Sequence, residues 1–245
     1  METRSLDTGL MTPVSNVFDV VPTIREQPAP PTLLEGPAAM RGFSAARPSL
    51  RVRKYFSARA SEYHARSTHL PWVWIRSRES TVVQLLLGDV AGLDVLELGA
   101  GAGFYTRELT RRGARQIWAV DISDAMLAVL PADRVKPVLG DAATIRLERR
   151  FPVLLSTGML EFVDDPAAVL ANAAQHAEAG ARFVILAPQA NIPGHLYRRF
   201  HRSHGIDIHL FDRNWFETFA PRSSWQVRAI APVAPFSLVV RLHLM

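Results

Sequence analysis

The chain has 245 residues, a net charge of +5 at pH 7 and no cysteine. The lack of cysteine excludes a disulfide scaffold, a thiolate zinc site and a cysteine nucleophile. The positive charge comes from scattered arginines without a block of five or more like charges, so the sequence does not predict a nucleic-acid-binding surface.

The length fits one α/β domain with extensions. No apolar run is long enough to cross a membrane, so no membrane span is expected. The N-terminus lacks a basic segment followed by an apolar one, so a secretory signal is not expected and the predicted location is the cytoplasm.

The N-terminal part divides by composition and periodicity. Residues 1–46 are rich in Pro, Thr, Ala and Ser without a regular period, which predicts a disordered or loosely packed tail. Residues 47–90 are predicted to form helices that cap the core, and residues 91–245 the core itself. A helix from Ser49 follows from apolar positions that step by three and four, and a second helix is predicted from Ser77 to Leu87.

Residues 93–109, LDVLELGAGAGFYTREL, predict a buried strand, a glycine turn and a helix. Glycines at every second position of the turn allow a sharp bend and the close approach of a ligand to the backbone amides. A second apolar run, Ile117 to Val120, ends in Asp121, where a carboxylate can bind both hydroxyls of a ribose. Together these features predict a site for an adenosine-containing ligand.

The spacing of the glycines separates two classes of such ligands. A dinucleotide fingerprint, G-x-G-x-x-G, would need glycine at Phe104, which disfavours a nicotinamide-dependent oxidoreductase. The observed G-x-G-x-G, with Glu97 two residues before Gly99, resembles the first motif of the class I S-adenosylmethionine-dependent methyltransferases. In that family, Glu97 would accept a hydrogen bond from the ammonium group of the cofactor, and the helix N-terminus would suit its carboxylate. The structural alternative is a tight strand–helix turn without a ligand.

The remaining chain alternates strands and helices, which predicts a doubly wound, seven-stranded, mostly parallel sheet of the Rossmann-like methyltransferase fold with an N-terminal helical extension. Ser123 is predicted to cap a helix that runs through Leu130, and Asp165 with Pro166 to begin one that ends at Gly180. The later strands are predicted at Val135–Leu139, Phe151–Ser156, Arg182–Ala187 and, as an antiparallel edge pair, Trp225–Ile230 and Phe236–Leu242.

The resemblance extends to three further places. Asp141, after the third strand, looks like the acid that accepts from the adenine amino group, although turn aspartates are common. The segment STGMLEFVDDP resembles the LEHVxDP signature of ubiquinone/menaquinone-type methyltransferases, with Phe162 in place of the histidine. The sequence VRKYFSARASEYH resembles the N-terminal helix that closes over the cofactor, although an aromatic packing stripe explains it equally well.

The resemblance therefore implies S-adenosyl-L-methionine as the cofactor. The predicted cofactor-binding residues are Tyr55, Tyr63, Glu97, Gly99, Ala100, Gly101, Asp121, Ile122, Met126, Asp141, Ala142 and Thr157.

The predicted function is methyl transfer to an O, N or C atom of a small, aromatic or apolar metabolite. Alternatives are an RNA methyltransferase that uses Arg198, Arg199 and Arg202, a nicotinamide oxidoreductase, and a non-catalytic methyltransferase-like binding subunit. The oligomeric state is not predicted.

The base that an acceptor would need is predicted to be a histidine, because its pKa suits proton uptake near neutral pH. His195 lies nearest the end of the fifth strand and is the predicted catalytic residue. A metal site at His201 and His204 is disfavoured because a third ligand at a defined spacing is missing, and surface polarity is the other explanation of these histidines.

Overall fold

The structure, a computed structural model, describes residues 34–35, 47–57 and 72–245, with side chains for 52–57 and 73–245. The strands are β1 (Leu34–Glu35), β2 (Asp94–Leu98), β3 (Gln116–Asp121), β4 (Val135–Leu139), β5 (Phe151–Thr157), β6 (Ala177–Pro188), β7 (Trp225–Val233) and β8 (Ser237–Leu244). The helices are α1 (Arg47–Ser57), α2 (Trp72–Leu87), α3 (Phe104–Arg111), α4 (Asp124–Leu127), α5 (Pro166–Gln175), α6 (Ile192–Ser203) and α7 (Arg213–Phe219), with 3₁₀ turns at Leu160–Phe162 and Pro221–Ser223.

All described residues belong to one compact unit, within Pro31–Met245. Tyr63 and the predicted tail, apart from residues 34–35, lie outside the described residues. The division into these three segments stays a prediction.

The strands form one sheet in the order β1-β4-β3-β2-β5-β6-β8-β7. The first six are parallel, and β8 is antiparallel to both β6 and β7. The predicted seven-stranded, mostly parallel sheet with an antiparallel edge pair is confirmed, and β1 is a short strand that was not predicted. From β2 the chain builds outward to β3 and β4 and then returns to β5 on the other side of β2. Ligands bind in open α/β sheets at such a reversal, here between the carboxyl ends of β2 and β5.

Burial of both faces explains the apolar residues Val95, Leu96 and Leu98 of the central strand. Every residue of β2 is buried. Val95 packs with Val83 of α2 and Leu109 of α3, whereas Leu96 and Leu98 pack in a second cluster on the opposite face. Because alternate side chains of a strand point to opposite faces, helices on both sides require apolar residues at successive positions.

The predicted helix starts at Ser123 and Asp165 are confirmed. Ser123 Oγ accepts from the backbone N–H of Met126 at 3.3 Å. Asp165 Oδ1 accepts from Ala167 N at 2.9 Å and Ala168 N at 3.1 Å, and Pro166 is the first residue of α5. Such caps satisfy backbone donors that have no partner within the helix.

Four helix boundaries differ from the predictions. Helix α1 begins at Arg47, two residues before the predicted start at Ser49. Helix α2 begins at Trp72, five residues before the predicted start at Ser77. Helix α4 ends at Leu127 because the N–H groups of Val129 and Leu130 donate to carbonyls three residues earlier. Helix α5 ends at Gln175 rather than Gly180, and β6 begins early because Ala177 pairs with Phe151.

Candidate functional site

The glycine turn after β2 is fixed to the end of β3 by its backbone. The N–H groups of Gly99 and Ala100 both donate to the carbonyl of Val120, at 2.8 and 3.0 Å. Gly99 has φ +77°, and a Cβ added there would overlap the side chain of Met159 in the turn after β5. Glycine is therefore required at Gly99 both for its conformation and for the close approach of the β5 turn. At Gly101 an added Cβ would meet nothing within 4 Å, so the space in front of the turn is open.

Asp121 joins the glycine turn to the N-terminus of α4. Its Oδ2 accepts from Gly101 N at 2.8 Å, and its Oδ1 accepts from Ser123 N at 2.9 Å. Burial raises the pKa of this carboxyl group, and the backbone hydrogen bonds from Ser123 and Gly101 oppose the shift. Each carboxylate oxygen accepts more than one hydrogen bond, so both retain capacity for a ligand hydroxyl.

Asp141 follows β4 at the same edge of the sheet. Its Oδ1 accepts from Ala143 N at 2.8 Å, which is the hydrogen bond of a turn aspartate. The residue also lines the cavity described below. The turn and the ligand-binding interpretations of Asp141 are thus compatible.

Glu97 lies beneath the glycine turn rather than in the cavity. Its side chain is 1% exposed, and Oε2 accepts from the hydroxyl of Thr106 at 2.7 Å. Burial raises the pKa of Glu97 to about 8; the Thr106 hydrogen bond lowers it and Asp121 raises it further. Glu97 is not among the residues that line the cavity, so this geometry does not support its predicted direct contact with a ligand.

A cavity of about 630 Å³ opens at the carboxyl ends of β2 and β5, a size typical of small-molecule sites. It brings together most of the predicted cofactor-binding residues: Tyr55, Gly99, Ala100, Gly101, Asp121, Ile122, Met126, Asp141, Ala142 and Thr157. We call the part formed by Gly99, Gly101, Asp121 and Asp141 the glycine end.

The other part of the cavity, the aromatic end, consists of Glu161, Phe162, Tyr197, Phe200 and His201. The ring centroid of His201 lies 4.5 Å from that of Tyr197, 5.3 Å from Phe162 and 5.6 Å from Phe200. The rings meet edge to face, a favourable geometry for aromatic pairs. They form an apolar box around one imidazole.

Two buried groups at the aromatic end have atoms without a hydrogen-bond partner among the described residues: Oε2 of Glu161 and Nδ1 of His201. Burial raises the pKa of Glu161 to about 8, a backbone hydrogen bond lowers it, and the charge of Glu79 raises it further. Burial, followed by the charge of His204, lowers the pKa of His201 to about 4. Near neutral pH the imidazole is therefore uncharged, and Glu161 holds its proton.

Glu79 on α2 also lines the cavity. It accepts a short hydrogen bond from the hydroxyl of Ser237 at the start of β8. Burial raises the pKa of Glu79, and the Ser237 hydrogen bond and the charge of Arg76 oppose that shift. Glu79 is thus offset by a cation, in contrast to Glu161.

The charge of the cavity is opposite to that of the whole chain, which is +5. Two arginines line it, Arg76 and Arg107. Six carboxyl groups line it as well: Glu79, Asp121, Asp141, Glu161, Asp164 and Asp165. An acidic cleft favours positively charged ligands.

The predicted catalytic residue His195 is exposed on α6 and is not among the residues that line the cavity. His204 and His209 are exposed as well, whereas His201 is 6% exposed and lines the cavity. The structure therefore does not support His195 as a base. The histidine count of the segment indicated that one could reach the site, but not which one.

Two arginines proposed for an RNA surface are already engaged. Arg198 and Arg202 each donate two hydrogen bonds to the carboxylate of Asp207, at 2.7–3.0 Å. These hydrogen bonds lower the pKa of Asp207. The pairing reduces the positive charge that this face would offer to a phosphate backbone.

No helix among the described residues is both long and apolar enough to span a membrane. Within the same ranges, no three His, Cys, Asp or Glu side chains are grouped as a metal ion would require.

Comparison with known proteins gives a match over the centre of the chain. Residues 96–185 match the family model described as a methyltransferase domain. The chain is 31% identical over 93 residues to a malonyl-[acyl-carrier protein] O-methyltransferase of Bacillus cereus, covering 36% of this chain and 35% of that protein. It is 34% identical over 102 residues to a ubiquinone biosynthesis O-methyltransferase of Nitrosococcus oceani, covering 38% of this chain and 43% of that protein. The matched region thus spans less than half the length of either relative.

Solved structures share the fold at low sequence identity. Magnesium protoporphyrin IX methyltransferase from Synechocystis, with bound SAH, has a TM-score of 0.65 at 15% identity and covers 81% of this chain and all of that one. The [4+2]-cyclase SpnF has a TM-score of 0.68 at 11% identity, and the match covers 80% of this chain and 96% of that one. Since one of these neighbours is named a cyclase, the fold alone does not determine the reaction.

Proposed function

We propose that this chain, which carries a methyltransferase domain of the class I, S-adenosylmethionine-dependent type, transfers a methyl group from S-adenosylmethionine to a small molecule. One observation above all supports this proposal. The carboxylate of Asp121 accepts from Gly101 N at 2.8 Å, so the glycine turn and the acid after β3 meet at one end of the cavity.

The residues at the glycine end fit the proposed cofactor in shape and charge. The open space at Gly101 lets a ligand approach the backbone, and the free capacity of Asp121 suits the two ribose hydroxyls. The excess of carboxyl groups around the cavity complements a ligand with a net positive charge.

Individual roles follow from these positions. Asp121 binds the ribose, Asp141 accepts from the adenine amino group, and Tyr55 covers the ligand from α1. The backbone of Gly99, Ala100 and Gly101 forms the floor, and the remaining walls come from Ile122, Met126, Ala142 and Thr157. Glu97 acts indirectly, because it holds Thr106 in the first turns of α3. The contribution of Tyr63 stays a prediction.

When bound, S-adenosylmethionine would supply an electrophilic methyl group on a sulfonium. The contribution of the protein is then to exclude water and to align the acceptor. Holding two reacting atoms about 3–3.5 Å apart contributes roughly 7–11 kcal/mol to catalysis. The aromatic end lies in the same cavity as Asp121 and suits an apolar acceptor.

The test is calorimetric titration of the purified protein with S-adenosylmethionine and, separately, with NADH. We expect binding of S-adenosylmethionine alone. Asp121→Ala should weaken it about ten- to a hundredfold, because a hydrogen bond to a charged group contributes about 1.5–3 kcal/mol. The exposed Asp133 provides the control, since Asp133→Ala changes the same charge away from the cavity.

Binding of NADH alone would favour the oxidoreductase alternative and overturn the proposal. Binding of S-adenosylmethionine without any methylated product, across the acceptor classes described below, would favour a non-catalytic binding subunit.

A further inference from the structure

Among the side chains at the aromatic end, Glu161 is the one for whose burial the structure provides the least compensation by hydrogen bonds or opposite charges. It is 3% exposed and lines the cavity, and its Oε2 has no hydrogen-bond partner in the part of the chain that is described. Leaving a buried carboxyl oxygen unpaired is costly, so such an atom marks a place where a ligand can supply the missing donor.

Titratable groups at this part of the cavity come from α2 and α6. Glu79 on α2 is an acid and disfavours a second negative charge at Glu161. Arg76 acts on Glu79. His201 on α6 is uncharged near neutral pH, since its pKa is lowered to about 4. A ligand that stabilises the ionised form of Glu161 must therefore bring its own positive charge.

Aromatic rings surround the same space. Tyr197 stacks on Phe236 with ring centroids 4.7 Å apart, and Phe56 and Phe162 meet edge to face at 5.0 Å. These residues all line the cavity. Ring faces attract cations, and the aromatic lining of the cavity suits the hydrocarbon part of a ligand.

From this combination we propose that the acceptor is an amine attached to an aromatic group, and that Glu161 binds its ammonium form and takes up its proton. The inference rests on the proposed methyl transfer and names its acceptor class. A carboxylate acceptor would add a negative charge beside Glu79 and Glu161. A hydroxyl acceptor would donate one neutral hydrogen bond and leave Glu161 protonated, so that Glu161 could not act as a base.

The proposed step is balanced in atoms and electrons. When the ammonium group binds, Glu161 releases its own proton to solvent and becomes a carboxylate. The ammonium nitrogen then gives one proton to Oε2 of Glu161, which frees the lone pair of the nitrogen. The nitrogen then forms a bond to the methyl carbon of the sulfonium donor while the carbon–sulfur bond breaks and its electron pair stays on sulfur. The positive charge lost by the sulfonium appears on the methylated amine. Because the pKa of Glu161 is raised to about 8, the carboxylate formed on binding is basic enough to take up this proton.

The experiment uses the full chain saturated with S-adenosylhomocysteine, which has no methyl group to transfer. Tryptamine, tryptophol and indole-3-acetate present the same indole with an amine, a hydroxyl and a carboxylate. Each is titrated by calorimetry at pH 7 in two buffers that differ in ionisation enthalpy. We expect tryptamine to bind about ten- to a hundredfold more tightly than the other two. Since Glu161 is protonated in the empty protein, tryptamine binding should release close to one proton.

Glu161→Gln keeps the shape of the side chain and should remove both the amine preference and the proton release. The exposed Glu178 gives the matched control, and Glu178→Gln should keep both. The proton release of the unmodified protein tests the proposal without any variant.

The proposal is overturned if tryptamine does not bind, if tryptophol or indole-3-acetate binds as tightly, or if Glu161→Gln retains the preference. These outcomes leave the proposed function intact as long as S-adenosylhomocysteine binds. Failure of S-adenosylhomocysteine to bind would instead remove the proposed methyl transfer, and this inference with it.

Discussion

The two ends of the cavity differ in how completely their polar groups are satisfied. At the glycine end, Asp121 accepts hydrogen bonds from the backbone of the glycine turn and of its own turn, and Asp141 accepts one from the backbone of its own turn. At the aromatic end, Glu161 and His201 are buried with polar atoms that have no partner in the described part of the chain. The first end is formed before a ligand arrives, whereas the second depends on the ligand for its missing partners.

This difference has a cost for stability. Hydrogen-bonded polar groups can be buried with little loss, but an unpaired buried group costs about 1–3 kcal/mol. Binding sites commonly retain such costs because the groups are needed for function. Variants at the glycine end should therefore weaken ligand binding, and variants at the aromatic end should change the pH dependence of stability.

The largest expected effect is that of Gly99→Ala. The new Cβ would overlap the side chain of Met159, so the turn would have to move away from the β5 loop. We expect S-adenosylmethionine affinity to fall more than about a hundredfold, beyond the effect of one lost hydrogen bond. Isothermal titration calorimetry measures this change.

Gly88→Ala separates overlap from backbone strain. Gly88 has φ +67°, close to the +77° of Gly99, but an added Cβ there meets nothing within 4 Å. This control should lose about 1–2 kcal/mol of stability and keep its affinity. Equal affinity in both variants would contradict the described contact between the glycine turn and Met159.

The next effect is a stabilisation by Glu161→Gln. The pKa of Glu161 is about 8 in the folded protein against an ordinary 4.5, so the folded state binds a proton that the unfolded chain releases. The free energy of unfolding should therefore fall as pH rises from about 4.5 to 8. Glutamine removes this loss. We therefore expect the variant to have a higher Tm than the wild type at pH 8, and the two proteins to have the same Tm near pH 4.

A change of 1 kcal/mol in the free energy of unfolding shifts the Tm of a protein of this size by about 2–4 °C, which calorimetric scans resolve. Glu178→Gln, at an exposed position, should show no pH-dependent difference from the wild type. A Glu161→Gln variant that is less stable than wild type at pH 8 would show that the carboxyl group has a stabilising partner.

The smallest expected effect is on the acid side. The pKa of His201 is lowered to about 4 from 6.5, so the unfolded chain binds a proton that the folded protein excludes. Stability should fall as pH drops from about 6.5 to 4. His201→Phe keeps an aromatic ring in the box and should reduce this fall, whereas the exposed His195→Ala should not. Denaturant unfolding at pH 7 and at pH 4.5 gives the loss of stability between these pH values for each variant. Equal losses in His201→Phe and His195→Ala would refute the assignment of the acid-side effect to His201.

The prediction of a class I methyltransferase resemblance and of its fold is confirmed by the family match at residues 96–185 and by the sheet. That match ends before α6 and does not include α2, so it leaves out His201 and Glu79. The family model therefore covers the glycine end of the cavity but only part of the aromatic end.

The sequence by itself determined the features that depend on neighbouring residues. The glycine turn, the caps at Ser123 and Asp165, and the position of Asp121 follow from local backbone conformation and from apolar periodicity. The helix ends were less well predicted, because the hydrogen bonds that shorten α4 and the pairing of Ala177 with Phe151 compete with local propensity.

The tertiary structure alone decided which distant side chains share the cavity. His195 and His201 are six residues apart on α6, so they point about 120° apart around the helix, and only the packing of that helix selects His201. Glu161 and Glu79 come from different elements, and their raised pKa values result from burial that no local pattern expresses. Periodicity shows which face of an element is apolar, but the meeting of two faces depends on how the whole chain packs.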